Sequence, residues 1–155
     1  AIDEIPGGVF ELAYAIRAAR DFVRRFRVRR IGYDSWNAIE FYNRLVNPPQ
    51  GDDAQALPED LFVEMRMGTR TLGAATKAFE NDVFTGALDH GGHPVARWMA
   101  GHCMIRFDEN MNFVPAKKQS EKSIDGIMTA VMAKALAIDG DDGRSVYETR
   151  GALVL

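Results

Sequence analysis

The sequence predicts an α/β domain in which helices pack against a partly parallel sheet. Three observations carry this. Segments with apolar residues three and four apart alternate with short, strand-like segments, in the order helix, strand, helix, strand, helix, strand pair, helix. The 155 residues are the size of one ordinary domain and can bury a real core. A lone aspartate, Asp34, ends the apolar strand in "RRIGYDSWNAIEFYNRLV" (29–46). A carboxylate there is poor core material, but sites in such sheets form beyond the carboxyl ends of strands.

Taken in order, "VFELAYAIRAARDFVRRF" (9–26) places Val9, Leu12, Ala13, Ile16, Ala19, Phe22, Val23 and Phe26 on one helical face. Residues 29–34 read as a strand and the segment from Trp36 to Val46 as a helix. The Pro-, Gly- and acid-rich stretch 47–60 reads as a surface loop, because neither half of the chain would make a complete core alone. "LFVEMRM" (61–67) alternates like a strand, and 72–87 returns to helical spacing. "HPVARWMA" adds a turn or two of helix. Residues 102–116 read as a strand, a turn around Asn110 and a return strand. The helix at 120–137 has Ser120 or Ser123 to cap it and an apolar stripe of Ile127, Met128, Val131, Met132, Ala135 and Leu136. The boundaries expected are a domain at 1–137 and a flexible tail at 138–155.

Composition narrows the function classes. The 46% hydrophobic and 26% charged fractions belong to a globular chain rather than a disordered one. No apolar run reaches the length of a membrane span, and the N-terminus lacks the layout of a signal peptide. Cys103 is the single cysteine, which excludes an internal disulfide and suits a reducing compartment. Net charge is −3, which argues against wholesale coating of nucleic acid but leaves room for a local basic surface. The chain opens with Ala1 rather than Met, as a processed product or a fragment would.

Two carboxylates stand out. Asp34 emerges where its strand stops, either as a site residue or as an N-cap for the helix that follows. Asp125 lies near the start of the final helix, directly before Gly126, which would let a neighbour approach closely. Its plainer role is a carboxylate at the positive end of a helix dipole. Lys117, Lys118 and Lys122 in "KKQSEK" precede that helix and could receive phosphates, or simply form a solvated loop. Arginines 17, 20, 24, 25, 27, 29 and 30 against one acid, Asp21, form a basic flank or keep the first helix's outer side in water.

Other chemistries are poorly supported. His90, His93 and His102 lack the cysteines and rigid spacing of a zinc site. There is no Walker loop or Gly-x-Ser-x-Gly elbow, and "DGDDG" (139–143) does not space its acids as a calcium loop does. Trp36 and Trp98 are expected in or near the core.

"IGYDSWNA" (31–38), "GALDHGGHPVARWMA" (86–100) and "EKSIDGIMTAVMA" (121–133) together resemble the C-terminal nuclease domain of tailed-phage terminase large subunits, over about residues 9–137. "SVYETRGALVL" is also similar to a terminase C-terminus. The resemblance implies a ribonuclease H-like mixed sheet flanked by helices, here without its opening strands and the acid they carry. It implies a two-metal nuclease using Mg²⁺ or Mn²⁺, with Asp34 and Asp125 matching two of the family's acids. The segment "HGGHPV" is similar to a His-Gly-Asn-Pro-Val type element, with His93 in place of asparagine. Glu64 is a further acid that could approach the site.

The function implied is endonucleolytic cutting of concatemeric double-stranded DNA. Lys117, Lys118 and Lys122 would be its DNA contacts. The partners implied are an ATPase domain, a small terminase subunit and a portal, in the cytoplasm of a bacterial host at the procapsid. The alternative is an incomplete, non-catalytic domain that keeps the fold and only binds DNA or packaging partners. A junction resolvase fits less well, given "HGGHPVARWMA".

Overall fold

Helix α1 (Leu12–Arg25) starts the part of the chain described by the computed structural model, which covers residues 11–50 and 55–141. Arg24 and Arg25 lie in its last turn, where cations favour the negative end of the helix dipole. The helix stops as Phe26 turns to extended backbone. Phe22 and Phe26 were expected on the buried face, but both are about half exposed and pack on each other with ring centroids 4.8 Å apart.

The chain divides into two compact units after Met65. In the first, β1 (Ile31–Asp34) pairs in parallel with β2 (Phe62–Met65), in register from Ile31↔Phe62 to Asp34↔Met65. The crossover runs through α2 (Ile39–Val46) and a short 3₁₀ turn, Glu59–Leu61, as parallel pairing requires. Leu45 of α2 is fully buried. Tyr33 stacks on Tyr42 at 4.8 Å, and Phe62 meets both rings edge-on. Helix α2 begins at Ile39 rather than Trp36, because residues 35–37 form a turn.

In the second unit, α3 (Thr69–Thr85) packs on α5 (Asp125–Asp141) and on β4 (Phe113–Pro115). Helix α4 (Pro94–Gly101) packs on α5, and β3 (Ile105–Phe107) pairs antiparallel with β4. The expected turn is there: Asp108 Oδ1 accepts the N–H groups of Asn110 and Asn112. The core is Leu72 and Ala75 of α3, Val114 of β4, Ala116, and Ile124, Met128, Val131, Met132 and Ala135. Four of the six expected stripe residues are buried, and Ile127 and Leu136 are half-buried. A Lys134–Asp82 ion pair at 2.6 Å ties α5 to α3.

Three expectations need correcting. Among the described residues the strands form two two-stranded sheets rather than one, each strand pairing with its nearest strand in sequence. Trp36 is 88% and Trp98 45% exposed, so neither is core. Trp36 sits in the turn after β1, and Trp98 packs on the His102 ring at 4.8 Å. Helix α5 starts at Asp125, not Ser120, because the Ser120 hydroxyl oxygen already accepts the Met104 N–H while its O–H donates to the Ala116 carbonyl. It runs to Asp141, past the boundary expected at 137, and residues 142–155 lie outside the described residues.

Candidate metal and DNA site

Asp34 ends β1 with its carboxylate held by its own turn. Oδ1 accepts the Trp36 N–H at 3.1 Å and Oδ2 accepts the Asn37 side-chain N–H at 2.7 Å. Its main-chain carbonyl accepts the N–H groups of Asn37 and Ala38. This is an Asx-type turn, not the N-cap considered from sequence: the N-cap of α2 is Ala38, with no side-chain bond. Each Asp34 oxygen takes one hydrogen bond and keeps lone-pair capacity, so the group is oriented yet able to bind a cation. Asn37 is the orienting residue that sequence reasoning did not single out, and the Asp-x-x-Asn spacing across a turn was the available signal.

Glu64 is not a companion to Asp34. The ladder pairs it with Tyr33, and side chains alternate faces along a strand, so Glu64 lies on the opposite face of the sheet.

Asp125 is the first residue of α5, with its side chain 59% exposed. Lys117 Nζ forms an ion pair with Oδ1, and the Ser123 hydroxyl donates to Oδ2 at 2.6 Å. The Lys117 hydrogen bond, then the Ser123 hydroxyl, hold the Asp125 carboxyl below the usual carboxylate range against a smaller opposing effect of burial. A carboxyl depressed in the folded state stabilises fully above its ordinary range, and the contribution is lost as pH falls through the lowered value. Lys117→Gln should therefore move the Asp125 titration to higher pH, read from the side-chain carboxyl ¹³C shift. An unmoved titration would show that the ion pair is absent in solution.

Gly126 does admit a close neighbour. Its N–H points at Met99 Sδ of α4 at 3.3 Å, and a Cβ built on Gly126 would lie 2.7 Å from that sulfur. Lys118 and Lys122 are exposed and form no ion pair among the described residues. Lys117, then, is the only one of the three lysines that the structure brings to an expected site carboxylate. Asp34 and Asp125 belong to different units, each with its own setting.

Two of the three histidines, His93 and His102, have structural partners. His93 is the N-cap of α4, its Nδ1 accepting the Val95 N–H at 3.2 Å, with Pro94 next. Asparagine caps in the same way, which explains why histidine can stand where the resemblance leads one to expect asparagine. His93→Ala should cost about 1 kcal/mol of stability and His93→Asn little, by urea denaturation. Equal losses in both would remove the capping role. His102 Nδ1 bonds the Trp98 carbonyl at 2.8 Å. Burial pushes the Cys103 thiol up, away from the reactive thiolate.

A sequence profile described as terminase large subunit, endonuclease domain, matches residues 7–141. The chain belongs to this terminase endonuclease family. The crystal structure of the HK97 bacteriophage large terminase is similar in fold, with a TM-score of 0.70 and 21% identity. That match covers 84% of this chain and 26% of the large terminase, so the chain spans about a quarter of that protein's length. No curated protein matches the sequence. The terminase domain thus has the ribonuclease H-like, mixed α/β fold expected of it, and none of its described helices is long and apolar enough to cross a membrane.

The terminase domain's carboxylates suit a hard divalent cation by kind, because Mg²⁺ takes oxygen ligands and often only one or two protein carboxylates, beside water and substrate phosphates. On Asp125 a cation, the Lys117 ammonium, is already seated. Among the described residues no group of three or more His, Cys, Asp or Glu side chains gathers for a metal.

Proposed function

We propose that this terminase domain is a metal-dependent DNA endonuclease that cuts concatemeric double-stranded DNA during phage packaging. Asp34 and Asp125 would hold Mg²⁺ or Mn²⁺ in a two-metal site. The observation carrying this is the Asp34 carboxylate, fixed at a strand end by Trp36 and Asn37 and still able to accept a cation. Bound ions would supply activation of a water and stabilisation of the departing 3′ oxygen. Asn37 and Ser123 orient the two carboxylates. Lys117 neutralises Asp125 until a cation or a DNA phosphate replaces one partner of the pair, and Lys118 and Lys122 contact the DNA backbone.

An ATPase domain, a small terminase subunit and the portal would complete the assembly, in the host cytoplasm at the procapsid. The second reading is a domain that binds DNA or packaging partners without cutting. It is favoured by the lack of a three-ligand group among the described residues.

Incubating the chain with supercoiled plasmid in Mg²⁺, Mn²⁺ or EDTA separates the two readings. Nicking and linearisation that EDTA stops is the expected result. Intact plasmid in both metals, with DNA still bound, would leave the binding domain.

A further inference from the structure

Between α1 and α2 lies a pocket of about 320 Å³, with Ala13 and Ile16 as its apolar wall. Arg17, Arg20, Arg24 and Arg44 line the rest, against one acid, Asp21. Asp34 is not among the lining residues, so this is a separate feature from the proposed cutting site.

The charges are unequally answered. Asp21 pairs with Arg24 at 3.5 Å, and Arg44 pairs with Glu40 at 3.2 Å. Arg17 lies over the Tyr14 ring at 5.3 Å. Arg20 is only 9% exposed and has no ion-pair partner among the described residues. Its two terminal nitrogens donate to the carbonyls of Gln55 and Arg44. Its Nε is buried and makes no hydrogen bond. A buried cation with no counter-charge among the described residues is costly unless something anionic answers it. Guanidinium forks match phosphate oxygens in geometry as well as charge.

We propose that the α1–α2 pocket is a phosphate site, with Arg20 at its base and Arg17 and Arg24 at its rim, and that it takes a backbone phosphate of DNA. The pocket alone supports the phosphate chemistry. That the phosphate is DNA's rests on the endonuclease reading. A phosphate held here would grip the duplex at a point additional to Asp34, and so orient it without joining the cutting reaction.

The test follows the arginine Nε–Hε signals of the full chain by NMR, in EDTA so that nothing is cut. Inorganic phosphate is titrated first, then a short blunt duplex. Phosphate should shift the Arg20 Nε–Hε signal saturably, and Arg17→Gln/Arg24→Gln should weaken that shift. Both substituted residues are exposed, so the variant should fold. In the same variant the salt dependence of duplex binding should fall by about 1–2 in logarithmic slope. An Arg20 signal that phosphate leaves unmoved overturns the site. A phosphate response with unchanged duplex affinity and slope in the variant overturns the DNA assignment. Plasmid cutting by the unsubstituted chain separates this proposal from the nuclease reading: a phosphate and duplex response in a chain that never cuts plasmid in Mg²⁺ or Mn²⁺ overturns only the latter.

Discussion

Asp34→Ala and Asp125→Ala should each abolish metal-dependent cutting of supercoiled plasmid while leaving the chain folded. Neither carboxylate is part of the buried core. Asp34→Ala gives up hydrogen bonds to Trp36 and Asn37, and each exposed bond of this kind is worth about 1 kcal/mol. Circular dichroism should therefore change little while plasmid remains supercoiled. Asn37→Ala provides the graded comparison. It keeps the carboxylate and removes only its orienting partner, so activity should fall about 10–100-fold rather than vanish. Full activity in either aspartate variant would remove that residue from the site.

The largest effect on stability is expected at Leu72. It is fully buried on α3, the helix that packs on both α5 and β4. Leu72→Ala should cost about 2–5 kcal/mol, since truncation loses transfer free energy and leaves a cavity. A urea midpoint would read the loss directly. Val83, on the same helix but 53% exposed, is the control: Val83→Ala should stay within about 0.5 kcal/mol of the parent chain. A Leu72→Ala chain as stable as the parent would mean that α3 does not pack as described.

Residues whose placement follows from periodicity were legible in advance. The α5 stripe is the clearest case, because a helical repeat of apolar residues has one physical solution once a second apolar surface exists. The β3–β4 hairpin was equally readable from its turn residues. Asp34 at the end of β1 needed both the strand pattern and the family resemblance, since "YDS" alone fits a cap as well as a site.

What escaped was set by side-chain partners that no periodic pattern encodes. Trp36 looks like core by composition, yet its backbone is recruited by Asp34 and its ring is left in solvent. Arg20 reads as one of seven helix-surface cations, yet carbonyls of Gln55 and Arg44 draw it inside. Those acceptors are 35 and 24 residues away in sequence. The start of α5 moved for a similar reason: the Ser120 oxygen accepts the N–H of Met104, 16 residues away, and is unavailable as a cap.

Helix α5 carries Val131, fully buried, on the same rod as its first residue, Asp125, which is mostly in solvent. One rigid rod is thus both a wall of the core and the handle by which a carboxylate is held. Rigid elements place functional groups well only while their packing is intact. Any loosening at Val131 or Met132 would be transmitted along the rod to Asp125. In a screen scored by DNA cutting, such substitutions would pass for catalytic lesions although they touch no charged group. Only a parallel measurement of folding would tell a damaged handle from a damaged blade.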